Sequence, residues 1–186
     1  MRLVQNAGTD RVLDLILAHA ARGVSLDLMS GTASLFAFEA LQSQATQLGS
    51  SRCIFPGTGA DLALVGGEAD RPARNRLQTA FLARQMADWL RSVAEVRAAA
   101  GQIPQGLAVI RNAAGEPVQA VHGAFGLSTD GLGLTPGNPL SFIQASESPA
   151  ESQMLAQWFD AQWAALGVRA EAKAREYNLA NCRAYV

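Results

Sequence analysis

The side chains best suited to chemistry in this sequence lie just after a predicted β-hairpin. His122 ends the hairpin, and a polar cluster of Ser128, Thr129 and Asp130 follows it. A histidine that works with a serine or an aspartate can serve as nucleophile or general base. A lone histidine is more often structural, as we expect for His19 in the first predicted helix. The polar cluster can also cap a turn, so both interpretations are open at this point.

A second set of candidates is a run of arginines around the third predicted helix. Between positions 71 and 97, 6 arginines stand against 2 acidic residues, although the whole chain has a formal net charge of −1. Arginines on one helix face can contact nucleic-acid phosphates, but such a charged face is more often simply solvated. The candidates for nucleic-acid contact are Arg74, Arg76, Arg84 and Arg91.

The elements that must position these residues alternate between strands and helices. Short segments at 3–5, 24–28 and 52–55 predict strands, and the segments between them predict helices over about 10–22 and 33–48. This β-α-β-α-β order is typical of parallel strands joined by covering helices. The remaining predicted elements are a helix over 72–92, strands over 93–97 and 140–145, and a helix that Ser148 caps.

Two strands, 106–111 and 117–122, flank a turn that contains Gly115 and predict the hairpin. This hairpin, the segment Gly123–Ser128 and a last helix that contains Trp158-Phe159-Asp160 together resemble the phospholipase D superfamily. The resemblance implies an α/β fold, a single lobe whose mixed, mostly parallel sheet is flanked by helices on both faces. Members of the family cleave phosphodiesters through a phosphohistidine, without a metal or another cofactor.

The reactive positions of that family are replaced in this chain. The first family motif, H-x-K-x-x-x-x-D, falls on Gln105 for its histidine, Leu107 for its lysine and Asn112 for its aspartate. In the second motif, Ala124 and Gly126 stand where the family has a serine and an asparagine. Glutamine cannot form a phosphoryl intermediate, and leucine offers no donor to a phosphate. We therefore expect no catalytic residues.

A narrower resemblance covers residues 1–166, which are similar to the N-terminal phospholipase D-like domain of certain bacterial Swi/Snf-type helicases. The segments that carry it are Ser34–Leu41, Arg74–Leu77, Gly131–Gly133 and Gly137–Ser141. It implies a non-catalytic binding or assembly module that acts with a helicase core, in cis or in trans, and with DNA as a further partner. Some of these helicases belong to anti-phage systems. Since lobes of the superfamily pair, we also expect a homodimer with two-fold symmetry.

Two alternatives remain open. The first is an active phosphodiesterase or nuclease that uses His122 with Ser128 or Asp130, and the second is a toxin-antitoxin or defence regulator that acts by protein contact alone. In either case we expect one domain over 1–166, followed at 167–186 by a C-terminal tail or the start of a linker.

Composition restricts the class of protein. With 49% hydrophobic and 17% charged residues, the chain should be globular. It has no apolar run long enough to cross a bilayer and no secretory signal pattern, so we expect no membrane association and a cytoplasmic location. Cys53 and Cys182 lie far apart without metal-ligand spacing, which predicts neither a zinc site nor a disulfide. We expect Cys53 in the core.

Overall fold

One mixed sheet organises the chain. The computed structural model describes residues 1–19, 23–45, 47–57, 63–67, 70 and 79–183, and the side chains of all of these except 43–45 and 167–183. The strands are β1 (Arg2–Leu3), β2 (Ser25–Met29), β3 (Ser50–Pro56), β4 (Ala94–Ala99), β5 (Gly106–Arg111), β6 (Pro117–Gly123) and β7 (Ile143–Ala145). The helices of the described residues are α1 (Val12–Leu17), α2 (Leu35–Ala45), α3 (Thr79–Ser92) and α4 (Pro149–Arg183).

The sheet has the strand order β1-β7-β6-β5-β2-β3-β4. The β2/β3 and β3/β4 pairs are parallel, and all other neighbouring pairs are antiparallel. The predicted α/β class, the mixed sheet and the hairpin are confirmed. The expectation that the sheet is mostly parallel was wrong, because the hairpin and the outer strands β7 and β1 run antiparallel to their neighbours and make four of the six strand pairs antiparallel. The strand predicted at 3–5 is present as β1, but it pairs with β7 at the sheet edge, because the antiparallel hairpin occupies the position next to β2.

Helices cover both faces of the sheet, and the strands alternate between two hydrophobic clusters accordingly. The first cluster joins one face to α1, α2 and α3, and it includes Leu26, Leu28, Cys53, Phe55, Ile110 and Val121 of the strands. The second joins the opposite face to α4, and its members are Ile54, Leu107, Val109, Ala120, Ala156, Phe159 and Trp163. Cys53 is 0% exposed, which confirms its predicted place in the core.

A network of four charges also anchors α4 to the sheet. The carboxylate of Asp27 on β2, 2% exposed, accepts hydrogen bonds from Nε and Nη2 of Arg52 at 2.7 and 2.6 Å and from Nε of Arg111 at 2.7 Å. Both guanidinium groups also reach Asp160 on α4, at 2.7 and 3.0 Å. Burial opposes the charge on Arg52, but the bonds to the two carboxylates outweigh it and raise its pKa. We call these four residues the quartet.

The last helix buries one side against the sheet and extends beyond the predicted end of the domain. Trp163 is buried against Phe159, whereas Trp158 is 47% exposed, because consecutive helix positions are rotated by about 100° and Trp158 leaves the buried face. The helix also continues past the predicted boundary at 166/167 to Arg183. The last strand begins only at Ile143, so Leu140, which was predicted to belong to it, is 87% exposed in the preceding turn.

The open edge of β1 is closed by side chains. Asp10 accepts hydrogen bonds from the backbone N–H of Gln5 at 3.0 Å and from Nη1 of Arg2 at 2.8 Å, and the same Nη1 donates to the carbonyl of Leu3 at 3.2 Å. Burial opposes ionisation of Asp10, but these two donors outweigh it and lower its pKa. The arrangement occupies backbone groups that an unprotected edge strand would offer to another chain.

Replacing Asp10 by alanine should therefore expose this edge. We expect a loss of less than about 1 kcal/mol in the free energy of unfolding, together with concentration-dependent association in sedimentation experiments. Since the folded state lowers the pKa of Asp10, its stabilisation should be present above the pKa of the unfolded chain and disappear as the pH falls through the folded value. An Asp10→Ala variant that associates no more than the parent chain would contradict this role.

Candidate functional site

A large groove in the described part of the chain lies at the carboxyl ends of the parallel strands β2 and β4. It has a volume of about 820 Å³, within the size range of small-ligand and peptide sites. Four connections line it: β1–α1, β2–α2, β4–β5 and β6–β7. Crevices at this end of an α/β sheet are common binding sites, because loops from separate strands converge there.

Ser30 holds two of these connections together. Its side chain is fully buried, and Oγ accepts hydrogen bonds from the backbone N–H of Leu127 at 2.8 Å and of Thr32 at 3.2 Å. The same hydroxyl donates to the carbonyl of Thr32 at 2.8 Å. The backbone N–H of Ser34 in turn donates to the carbonyl of Leu127 at 2.7 Å. The β2–α2 connection is thereby fixed against the β6–β7 connection.

Asn6 fixes the third side of the groove. Its backbone has a φ of 53°, a left-handed conformation that asparagine tolerates better than most residues. The side-chain Nδ2 donates to the carbonyls of Asp130 and Gly131, both at 3.0 Å, and Oδ1 accepts the N–H of Val12 at 3.0 Å. One side chain thus joins the start of α1 to the loop after β6.

Two glycines allow the backbone to fold closely around the groove. Gly123 has a φ of 134°, and a Cβ atom there would lie 2.2 Å from the carbonyl oxygen of Phe142. A Cβ atom on Gly131 would lie 2.3 Å from the carbonyl oxygen of Gly126. Both distances are shorter than any real carbon-oxygen contact, so a larger residue at either position would push the groove walls apart.

The three residues of the polar cluster predicted after the hairpin have different roles: Thr129 and Ser128 stabilise the loop, and Asp130 is exposed in the groove. Thr129 is buried and donates from Oγ1 to Oδ1 of Asp70 at 2.5 Å, while the other carboxylate oxygen of Asp70 accepts the N–H of Gly67 at 2.9 Å. The hydroxyl of Ser128 accepts the N–H of Gly131 at 3.2 Å, as a turn cap would. Asp130 is exposed and lines the groove.

The groove contains almost no charge. Among its lining residues Asp130 is the only charged one, and neither lysine, arginine nor histidine contributes to the described walls. The carboxylate of Asp130 forms no hydrogen bond or ion pair with a described residue. A site for phosphate needs cationic or several N–H donors. The described walls supply the opposite charge.

The five positions that the sequence resemblance aligns with the phospholipase D motifs do not come together at one point. Ala124 and Gly126 line the groove, while Gln105 is exposed beside it at the start of β5. Leu107 is 2% exposed in the cluster beneath α4. Asn112 lies at the other end of β5, where its Oδ1 accepts the N–H groups of the hairpin turn at 3.0 Å. Its role there is that of a turn residue.

His122 lies on β6, apart from the groove. Its direct neighbours on the adjacent strands are Leu107 on β5 and Gln144 on β7, so neither strand offers it a carboxylate. It forms no hydrogen bond with a described residue, and it is not among the residues that line the groove with Ser128 and Asp130. The described structure therefore does not assemble these three side chains into a catalytic group.

The structure describes two of the four arginines that were candidates for nucleic-acid contact. Arg74 and Arg76 lie outside the described residues. Arg84 and Arg91 are both exposed on α3, and Arg91 pairs with Asp88 at 2.7 Å. This fits an ordinary solvated helix face. Cys53 is equally unsuited to chemistry, because burial raises the pKa of its thiol.

Three structurally important residues were not singled out in the sequence. Asn6 and Ser30 sit in short polar loops that follow β1 and β2, which is a weak signal shared by most turns. Asp27 occupies a polar position in an alternating strand, and this pattern does not by itself indicate a buried ion pair. In each case the partners lie far away in the sequence.

Within the described ranges, no group of three or more histidine, cysteine, aspartate or glutamate side chains is placed to hold a metal ion. None of the helices there combines the length and apolar character needed to span a membrane. Comparison with known proteins finds no matching family model and no curated protein of significantly similar sequence.

Proposed function

We propose that the chain is a non-catalytic binding and assembly module built on a single phospholipase D-like lobe. In this proposal it pairs with a second copy of itself and helps a helicase core, in cis or in trans, to engage DNA or other partners in the cytoplasm, with phage defence as the context. The helicase, the DNA and the context come from the sequence resemblance. The geometry of the groove supports the statement that the module is non-catalytic.

The observation that carries the proposal is the chemistry of the groove. Its described walls carry one carboxylate and no cation or imidazole, so they would repel a phosphodiester and could not activate one. The groove is nevertheless well built, since Ser30 and Asn6 fix its sides with buried or bifurcated hydrogen bonds. A well-ordered cleft with one carboxylate and no cation or imidazole is suited to recognition of a partner rather than to hydrolysis.

The arrangement of the elements also supports a phospholipase D-like lobe. The hairpin lies beside β2 in the interior of the sheet, and helices cover both faces. The start of β5 and the end of β6, where the two family motifs would begin, both adjoin the groove through Pro104 and Ala124. Three of the five motif positions, Gln105, Ala124 and Gly126, thus lie on or beside the groove.

Hydrolysis assays test the proposal. We expect the full chain to leave bis(p-nitrophenyl) phosphate, single-stranded DNA and duplex DNA uncleaved above the buffer rate, with and without divalent cations. Cleavage that disappears in His122→Ala and persists in His19→Ala would overturn the proposal in favour of a phosphodiesterase or nuclease. Light scattering of the same sample at tens of micromolar reports the pairing, and a monomer would contradict that part.

A further inference from the structure

The groove combines an apolar rim, neutral polar groups and one carboxylate, and this combination restricts the ligands that it can bind. Three exposed apolar side chains lie on or beside its rim: Leu3 at 60%, Leu140 at 87% and Phe142 at 60% exposure. Leu3 extends from β1, and the other two belong to the turn that precedes β7. Exposed large apolar residues that cluster beside a cleft are typical of contact surfaces.

Neutral polar groups lie between this apolar rim and Asp130. The side chains of Gln5 and Ser141 line the groove and form no hydrogen bond with a described residue. An amide and a hydroxyl can each donate and accept, as the N–H and C=O groups of an extended peptide require. Nucleic-acid phosphates would find no cationic partner here, so these groups favour a peptide.

The negative charge of Asp130 further restricts which peptides the groove can bind. Asp130 is exposed and unpaired among the described residues, whereas Asp10, Asp14, Asp27, Asp88 and Asp160 each have an arginine partner. Asp130 lies close to Gly137 on the groove wall, since a Cβ atom on Gly137 would lie 3.7 Å from Cβ of Asp130. A lysine or arginine of the bound segment would complement it.

We propose that the groove binds an extended segment of a partner protein in which apolar side chains flank a lysine or arginine. The apolar residues pack on Leu3 and Phe142, and the cation lies next to Asp130. This inference rests on the proposed non-catalytic function and names the class of partner that the module recognises. The edge of β1 is closed by Arg2 and Asp10, so the segment binds in the groove rather than as an added strand.

Titration of the ¹⁵N-labelled full chain with two peptides tests this. One is the acetylated amide alanine-leucine-arginine-phenylalanine-alanine, and the other has glutamate in place of arginine. We expect millimolar binding of the arginine peptide, with shifted amide signals at Gly126, Gly131 and Phe142. Because an exposed ion pair contributes modestly, its affinity should exceed that of the glutamate peptide about two- to fivefold.

The matched variants are Asp130→Asn and Glu95→Gln. Glu95 is an exposed carboxylate on β4, at the opposite edge of the sheet. Asp130→Asn should remove the preference between the peptides, and Glu95→Gln should keep it. The inference would be overturned if the parent chain bound both peptides with equal affinity, or if the shifted signals lay outside the groove. It would also be overturned if a single-stranded oligonucleotide or a second copy of the chain occupied the same residues. Such a result, without phosphodiester cleavage, would leave the non-catalytic assignment standing.

Discussion

Replacing Asp27 by alanine should cost about 3–5 kcal/mol of the free energy of unfolding, because it leaves two arginines beneath α4 without their buried counter-ion. The carboxylate of Asp27 is 2% exposed and makes hydrogen bonds of 2.6–2.7 Å with Arg52 and Arg111. Asp160 cannot replace it, because Asp160 is 46% exposed and water screens its ion pairs with both arginines. Urea denaturation monitored by tryptophan fluorescence measures the loss.

The matched control is Asp160→Asn, which removes the other acid of the quartet. Asp160 is 46% exposed, so its ion pairs are screened by water and the expected cost is about 1 kcal/mol or less. If the two variants lose equal stability, Asp27 is not the centre of the network. A combined Asp27→Leu, Arg52→Met and Arg111→Leu variant should recover part of the loss, since it removes the buried charges together.

Truncating Phe159 to alanine should be of similar severity, about 3–5 kcal/mol, through loss of buried area and the cavity that remains. Phe159 is 0% exposed, stacks on Trp163 at 5.9 Å between ring centroids and lies under the guanidinium of Arg52 at 5.1 Å. Thermal unfolding followed by circular dichroism reports the change.

Trp158→Ala serves as the control on the same helix. Trp158 is larger than Phe159 but 47% exposed, so we expect a cost of about 1 kcal/mol or less. A loss at Trp158 as large as that at Phe159 would mean that its exposed face is covered in the folded protein, for instance by a second copy. The pair therefore separates the packing of α4 on the sheet from any contact made by its outer side.

Local sequence patterns were enough to predict most of the elements. The hairpin was correct because its signals, two apolar strands and a glycine-containing turn, all lie within 106–122. The parallel pairing of β2 with β3 followed from the alternation of strands and helices, whereas β1, predicted as part of the same alternation, pairs antiparallel with β7. The last strand was predicted too long, since Leu140 and Phe142 are apolar but belong to a turn after Pro139.

The parts that could not be predicted depend on contacts between distant segments. The position of β1 depends on β7, and the polar character of Asp27 is explained only by α4 folding over it. The groove could not be predicted for the same reason, because Asn6 and Ser30 shape it through hydrogen bonds to residues 124 and 97 positions away. Residue types at single positions carry little information about such long-range partners.

The pairing of β1 with β7 has a consequence for how the chain reaches its fold. Arg2 is opposite Ala145 in the register, so almost the whole sequence of the sheet separates the two partners. Closing a loop of that length costs conformational entropy before the pairing of β1 with β7 can offset it. During synthesis β1 must remain unpaired until β7 has emerged, whereas β2, α2 and β3 can assemble early. We therefore expect the edge of the sheet that borders the groove to form last.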